Sequence, residues 1–461
     1  MSSSRNALVV GSTGYIGKRL VEKLISEGYS VTATYRSNDK LLANDWATHP
    51  RVTSVKVDVL DKESLLDACS GCASAFYLVH SMYAGEKYRE LDRIGSTNMR
   101  ETAEELGLNR IVYLSGLGNI SEDTSEHLRS REEVNQILRE GSVPVTTFRA
   151  AMIVGEGSAS FEIMRYLVER LPIMTPPRWV RTKTQPIAVS NVMEYLAGCL
   201  EQPETIGEEF DIGGRDVVTY QKLMRIYAEE AELPRRIVIP IPVLTTGLSS
   251  YWVGLITPVP SEIAVPLIEG LRTETATRED SITRLIPQKL LSSREAIRLA
   301  LQGTFQRARG ESIKGEAEPA EWIRKGDPAW AGGSFFHLWF RELVPTSAER
   351  LWNSMLHSIA SNGHNYGSNM WYIRGLLDEL TGSQGFRRNA HPSEDIQPGK
   401  NTDAWTIRQV KQHRFLVLES DLREPNISSL YFRLKQKSST ATAFELELRY
   451  LARGFAGLAL W

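Results

Sequence analysis

The sequence predicts an α/β fold, a doubly wound parallel sheet of Rossmann type, followed by a separate α+β domain with an antiparallel sheet. Three observations carry this. The stretch Ala7 to Gly17, ALVVGSTGYIG, reads as strand, glycine turn and helix. Apolar strand-like runs and amphipathic helical runs then alternate through about the first 150 residues, which implies a parallel sheet with helices on both faces. Beyond a charged, aperiodic stretch the pattern changes to successive strands, which implies an antiparallel sheet.

The first unit sets the rest. Ala7-Leu8-Val9-Val10 is long enough for a buried strand, and Gly11, Gly14 and Gly17 follow it. Ile16, Leu20, Val21, Leu24 and Ile25 then share one helical face, with Lys18, Arg19, Glu22 and Lys23 off it, and Gly28 ends the helix. In such a unit the first glycine permits the turn, the second lets backbone approach a pyrophosphate, and the third lets helix and strand pack closely. The helix N-terminus adds free N–H groups and a positive dipole end. Gly11, Thr13, Gly14, Tyr15, Ile16 and Gly17 are therefore expected to line a dinucleotide. The second strand, Tyr29 to Tyr35, ends where an acid would grip the ribose 2′-hydroxyl of NAD. Tyr35-Arg36-Ser37 stands there instead, and Arg36 suits a 2′-phosphate, so NADP is expected over NAD.

The elements continue in order. Val52 to Val57 is a third strand, and Asp58 and Val59 at its end are placed for the adenine. Lys62 to Cys69 is a short helix, and Ala75 to Val79 a fourth strand, followed by His80 and Ser81. Tyr88 to Leu106 is a long helix. Arg110 to Leu114 is a fifth strand, running into Ser115. His127 to Glu140 is helical, and Val145 to Phe148 is a sixth strand. The glycine loop, Arg36, Asp58, His80, Ser81 and Ser115 all fall at strand carboxyl ends, where ligands bind in this fold. Further on, Met193 to Glu201 is expected as a helix, Phe210 to Gly213 as a strand and Tyr220 to Ala231 as a helix. The first domain is taken as residues 1–302, with an apolar, proline-rich substrate cap at about 215–300. Residues 303–333 read as a linker, being charged, glycine-bearing and aperiodic. In residues 334–461, strands are expected at Phe335 to Leu343, Ala404 to Val410, Phe415 to Glu419, Ser429 to Lys435 and Ala443 to Leu451, with a helix at Ser347 to Ile359.

Composition bounds the function. The chain has 461 residues, 42% hydrophobic and 24% charged, with a net charge of −2. A chain of that length is expected to form two domains. Its charge does not invite nucleic acid or anionic lipid. Three cysteines make no disulfide framework, and Cys69 and Cys72 lack the context of a redox or zinc motif. MSSSRN lacks a signal-peptide core, so a cytoplasmic protein is expected. Ile237 to Ser261 carries no charge, yet Pro240, Pro242, Pro258 and Pro260 interrupt it. It is expected to line a cleft or touch a membrane surface peripherally rather than cross a bilayer.

Several motifs together resemble a branch of the atypical, NmrA-like short-chain dehydrogenase/reductases. They are YLVHSM at Tyr77 to Met82, VYLSGL at Val112 to Leu117, HLRSREEV at His127 to Val134 and FRAAMIVGEGSASFE at Phe148 to Glu162. PRWVRTKTQPIAV at Pro177 to Val189, FDIGG at Phe210 to Gly214 and LSSYWVGLITPVP at Leu248 to Pro260 extend the resemblance to about residue 290. WYIRGLLDELTG at Trp371 to Gly382, GFRR at Gly385 to Arg388 and TDAWTI at Thr402 to Ile407 are similar to a C-terminal domain of START-like, helix-grip type. That resemblance implies a cavity for a hydrophobic ligand. Its pattern is eroded around Asn362 to Asn369 and continues past position 461, so a final helix is expected to be missing.

The resemblance implies hydride transfer assisted by a Tyr-x-x-x-Lys pair after the fifth strand. None is present there; His127-Leu-Arg-Ser-Arg131 occupies the place. Histidine suits proton transfer near neutrality, and Arg131 suits a ribose or phosphate but not a base. Catalytic roles are thus expected for His127, Arg131 and Ser115, and cofactor contact for His80 and Ser81. Three readings stay open. The first is an NADP-dependent oxidoreductase acting on a hydrophobic small molecule. The second is an NADP(H)-sensing regulatory binder without turnover, and the third is a lipid carrier. Nothing in the sequence speaks to the oligomeric state.

Overall fold

The computed structural model describes residues 5–118, 124–176, 178–239, 254, 256–310, 318–360, 397–402, 405–420, 427–452 and 454. The opening unit is β1 (Asn6–Val10), α1 (Tyr15–Ser26) and β2 (Ser30–Tyr35). Next come α2 (Asn38–Leu42), β3 (Val52–Lys56), α3 (Lys62–Cys69), β4 (Ser74–Tyr77) and α4 (Tyr88–Leu106). β5 (Arg110–Gly116), α5 (Glu126–Arg139) and β6 (Val145–Ala150) complete the doubly wound part. Beyond it lie α6 (Ala159–Arg170), α7 (Val189–Gly198) and α8 (Tyr220–Glu230).

Seven parallel strands form one sheet, in the order Glu209–Ile212, β6, β5, β4, β1, β2, β3. The direction of winding reverses between β1 and β4, which opens the crevice where such sheets bind ligands. Helices cover both faces, so the strands are buried runs rather than alternating ones. On one face Leu20, Val21 and Leu24 of α1 join Val192, Met193 and Leu196 of α7. On the other, Met99 and Ala103 of α4 and Val134 and Leu138 of α5 pack with Tyr77 and Tyr113. A third core belongs to the cap. It draws on α6 and α8, through Phe161, Met164, Leu223 and Tyr227, and on the helices Ser261–Gly270 and Ser293–Arg309. Of the apolar run 237–261, residues 240–253 and 255 lie outside the described residues. Among the described residues no helix is long and apolar enough to cross a membrane.

The stretch expected as a linker, 303–333, is built otherwise. Its first part continues the helix Ser293–Arg309, which begins in a Ser292/Glu295 capping box and ends at Gly310 with φ 64°. Residues 318–333 form a strap against the first domain. The fully buried Asp327 carboxylate meets Lys18 Nζ at 3.1 Å and Arg19 NH2 at 3.0 Å. Arg19 also donates to the carbonyls of Ala320 at 2.7 Å and Trp322 at 2.8 Å. The buried Glu156 accepts from Arg307 at 3.1 Å, from Arg165 at 3.3 Å and from the Thr304 hydroxyl. It accepts from the strap as well, through the Ile323 N–H at 3.2 Å. Lys18 and Arg19, which the periodicity leaves off the apolar face of α1, are therefore interior residues, each 1% exposed. Periodicity identifies the apolar face of a helix but is silent on whether the polar face meets water or a polar partner.

The C-terminal domain is an antiparallel sheet. Its strands run in the order Phe335–Val344, Ala441–Leu451, Ile427–Ser438, Phe415–Ser420, Trp405–Lys411 and Asn401–Thr402. The helix Ala348–Ala360 sets Trp352 and Met355 against Ile407, Leu416, Leu418, Phe432 and Leu434. These elements lie within a few residues of those expected. The domain rests on the helix Ser293–Arg309, where the Tyr431 hydroxyl donates to the Arg309 carbonyl at 2.6 Å. The motifs at 371–382 and 385–388, and the eroded stretch 362–369, lie outside the described residues.

Candidate functional site

The glycine loop has the geometry its sequence requires. Gly11 holds φ 90°, a conformation that side chains resist, and a Cβ there would sit 3.1 Å from the backbone of Leu78 at the end of β4. A Cβ at Gly17 would lie 2.2 Å from the Gly11 carbonyl oxygen, so only glycine lets α1 start this close to β1. Gly14 is exposed and caps α1, donating its N–H to the Gly11 carbonyl at 3.0 Å. The loop is tied to β2 from inside. The Gly11 N–H donates to Thr34 Oγ1 at 3.1 Å, and the buried Ser12 hydroxyl donates to the Thr34 carbonyl at 2.7 Å. The first-turn N–H groups of α1 follow directly, and this is the arrangement that holds a phosphate.

Not every loop residue presents its side chain to that cradle. The Tyr15 ring stacks under the Arg19 guanidinium, 4.1 Å from its centroid. Its hydroxyl faces Gly155, where a Cβ would come within 2.5 Å of it. What Tyr15 offers a ligand is its backbone. Ile16 packs into the core between sheet and α1. Thr13 remains half-buried beside the loop.

At the neighbouring strand ends, Arg36 is exposed just past β2, with no ion-pair partner among the described residues. Asp58 is exposed after β3, where its carboxylate accepts the Leu60 N–H at 3.1 Å. The Val59 carbonyl accepts from Asn98 Nδ2 at 2.9 Å. Cys69 and Cys72 are free thiols, and burial pushes the Cys69 thiol up to about 12, far from a reactive thiolate.

The cluster past β4 and β5 is the densest chemistry in this part of the chain. The Ser125 side chain caps α5 and so places His127 and Arg131, one turn apart, on the face toward the sheet. His127 Nδ1 lies 3.1 Å from His80 Nε2, with ring centroids 5.0 Å apart. His80 Nδ1 lies 2.8 Å from Asp92 Oδ2. Asp92, on α4, also accepts the Ser81 N–H at 2.8 Å and the Ser130 hydroxyl at 3.3 Å. Ser81 thus acts through its backbone. Ser115 is buried at the end of β5, its hydroxyl beside the Tyr113 phenol.

Arg131 is engaged differently from what its place in the sequence suggests. Its guanidinium donates to the carbonyl of Leu114 and, at 3.5 Å, to that of Val79. It lies 4.8 Å from the Tyr113 ring centroid. It therefore ties together the ends of β4 and β5 and places a fixed positive charge beside both histidines.

The electrostatics follow. Burial drives the His127 imidazole well below its usual range, and His80 and Arg131 push it the same way. Burial also lowers His80, partly offset by its bond to Asp92, with Arg131 lowering it further. Burial would raise the Asp92 carboxyl, but His80, Ser81 and Arg131 outweigh it and hold it below the ordinary value. Near neutral pH the cluster is a carboxylate and two neutral rings. Sequence reasoning placed His80, Ser81 and His127 but missed Asp92, whose only signal was a carboxylate on the sheet-facing side of a long helix. Among the described residues no group of histidine, cysteine and carboxylate side chains is arranged to hold a metal ion.

Residues 11–160 match the NAD(P)H-binding family. The mitochondrial "NADH dehydrogenase [ubiquinone] 1 alpha subcomplex subunit 9" of Arabidopsis thaliana is 23% identical over 62% of this chain and 75% of its own. Cinnamoyl-CoA reductase 1 of Petunia hybrida is 31% identical, but over 26% of this chain and 38% of that one. Among solved structures, a Citrobacter sp. triphenylmethane reductase complexed with NADP(H) superimposes with a TM-score of 0.51. It is 17% identical over 64% of this chain and 99% of its own. A nucleoside-diphosphate-sugar epimerase from Staphylococcus aureus gives the same TM-score at 13% identity, over 64% of this chain and 99% of that one. Residues 11–160 thus match an NAD(P)H-binding family, and the fold around them is that of a Rossmann-type domain.

Proposed function

We propose that this protein is an NADP-dependent oxidoreductase of the atypical short-chain dehydrogenase/reductase type, acting on a hydrophobic small molecule. The observation that carries the reading is the position of His127. It stands on α5 at the end of β5, hydrogen-bonded to His80 at the end of β4, and β4 abuts the glycine loop through Leu78. A proton-carrying ring and a dinucleotide cradle thus share the carboxyl ends of neighbouring central strands.

Each residue's part follows from its place. Gly11, Gly14 and Gly17 bring the backbone and the N-terminus of α1 to the pyrophosphate. Arg36 pairs with the 2′-phosphate, and Asp58 and Val59 border the adenine. His80 and Ser81 border the nicotinamide side. The bound nicotinamide supplies or takes the hydride. His127 holds or takes the proton at the ring nitrogen that is not bonded to His80. Arg131 orients these strand ends by holding Val79 and Leu114, and Ser115 lines them. The cap over α6 and α8, rich in aliphatic and aromatic side chains, suits an apolar substrate.

A second reading is favoured by the absence of Tyr-x-x-x-Lys on α5: a binder that senses NADP(H) without turnover. One experiment separates the two. NADPH and NADH are titrated by fluorescence, and NADPH oxidation is followed against a panel of apolar aldehydes, ketones and enones. Tighter NADPH binding with turnover of one panel member is the expected result. Tight binding with no turnover of any member favours the sensor. Preference for NADH overturns the cofactor assignment.

A further inference from the structure

Asp92 determines the proton arrangement of both histidines. An ionised carboxylate only accepts hydrogen bonds. Asp92 is 3% exposed and receives the Ser81 N–H, the Ser130 hydroxyl and His80 Nδ1. His80 must therefore carry its proton on Nδ1, which leaves Nε2 with a lone pair. The 3.1 Å contact to His127 Nδ1 then requires the proton on that nitrogen. His127 Nε2 is left as the unprotonated nitrogen, with no hydrogen-bond partner among the described residues.

We propose that Asp92, His80 and His127 form a proton relay that moves a proton between substrate and protein interior. This rests on the reading of His127 as the proton-carrying group. A proton accepted at His127 Nε2 forms one N–H bond there. The His127 Nδ1–H bond breaks as its proton forms an N–H bond at His80 Nε2. No electrons change hands, and the single added positive charge ends on His80. It is then an imidazolium beside the Asp92 carboxylate, a pairing that favours the charged form. On His127 the same charge would lack a carboxylate partner. Run backwards, the relay delivers a proton from His127 Nε2. Asp92 and His80 are positioning residues here, and His127 alone touches the substrate. The groups facing the two rings are Arg131 from α5 and Tyr88 from α4, whose ring meets His80 edge-on at 6.0 Å, while Tyr77 and Tyr113 from the strands lie beside Asp92 and Arg131. Arg131 is a fixed cation and the tyrosines stay neutral across the working range, so the relay's titration belongs to the histidine pair and Asp92.

The test uses the full chain labelled with 15N-histidine and long-range 1H–15N correlation spectra. At pH 7.5 both rings should show the Nδ1–H form. On acidification the first proton taken up by the pair should appear on His80. Asp92→Asn should abolish the fixed His80 tautomer and cut turnover about 10²-fold, with NADPH affinity within about twofold of wild type as the check that the fold persists. An Nε2–H form of His80 in the wild type, or two rings that titrate independently, overturns the relay. The wild-type spectra decide this even if Asp92→Asn does not fold. Relay tautomers as assigned, together with wild-type turnover in His127→Ala, would sink the catalytic reading of His127 and leave the hydrogen-bonded arrangement standing. Wrong tautomers with an inactive His127→Ala would sink the relay alone.

Discussion

His127 shows how far the meaning of a residue depends on its neighbours. As a free side chain it titrates near neutrality. In the folded chain burial, His80 and Arg131 hold it well below that. The acid limb of the pH–rate profile of the wild type is therefore expected below pH 6.5, not near 7. His127→Ala should reduce turnover by about 10²-fold or more while leaving NADPH affinity little changed. A wild-type rate in that variant would make His127 a packing residue. Arg36 raises the opposite case, an exposed cation whose use depends wholly on a ligand. Arg36→Ala should weaken NADPH by roughly 1.5–3 kcal/mol, the range for a hydrogen bond to a charged group, and leave NADH unchanged. Equal losses for both cofactors would show that Arg36 does not read the 2′-phosphate.

Between the glycine loop and the strap, α1 is used on all sides. Its N-terminus faces the cradle, its apolar face meets the sheet, and its cations meet Asp327. Gly14→Val would set a branched side chain on the exposed approach to the pyrophosphate. Nucleotide binding should be lost with an unchanged thermal midpoint, because a Cβ there meets only the Gly11 carbonyl, at 3.2 Å. Retained NADPH affinity would show that the loop holds no dinucleotide. Asp327→Ala would leave Lys18 and Arg19 buried without their carboxylate. Breaking a buried pair in this way typically costs about 3–5 kcal/mol. Urea unfolding should show a loss of that order, and a loss under about 1 kcal/mol would mean that the strap is held by its carbonyl contacts instead.

For the whole molecule, the buried charges make stability depend on pH in a definable direction. His80 and His127 both sit below the unfolded histidine value of about 6.5. A group that resists protonation in the folded state contributes its full stability above the unfolded value. That contribution is lost as pH falls, because the unfolded chain then takes up the proton more readily. Asp92 lies below the usual carboxylate range, and its contribution is lost only at still lower pH. Glu156, where Arg307 and Arg165 overcome the upward push of burial, behaves likewise. The urea midpoint is expected to be flat from pH 8 to 7 and to fall between pH 6.5 and 5. His127→Gln should flatten part of that fall. A midpoint that rises in the same interval would contradict the neutral, buried pair.

The doubly wound order, the glycine cradle and the antiparallel C-terminal strands could all be read from the chain, because each depends on local rules. Apolar runs make buried strands, glycines permit the one turn that admits backbone to a phosphate, and alternation makes a half-buried sheet. Residues at strand ends followed at once, so Arg36, Asp58, His80 and Ser115 could be named from spacing, and His127 from the place the family resemblance gives to Tyr-x-x-x-Lys. What the chain did not disclose were the partners of its polar residues. Lys18 and Arg19 lie off the apolar face with no partner in view until Asp327, some 308 residues on in sequence, is seen to meet them. Asp92 read as one more charge on a long helix until His80 is seen against it. Arg131 read as a cofactor ligand until its guanidinium is found on the carbonyls of Val79 and Leu114. Hydrophobic periodicity is a one-body signal, since a residue's own chemistry says whether it prefers to leave water. Ion pairs, tautomers and shifted titrations are two-body quantities set by distance and burial, and only the tertiary structure brings the second body into place.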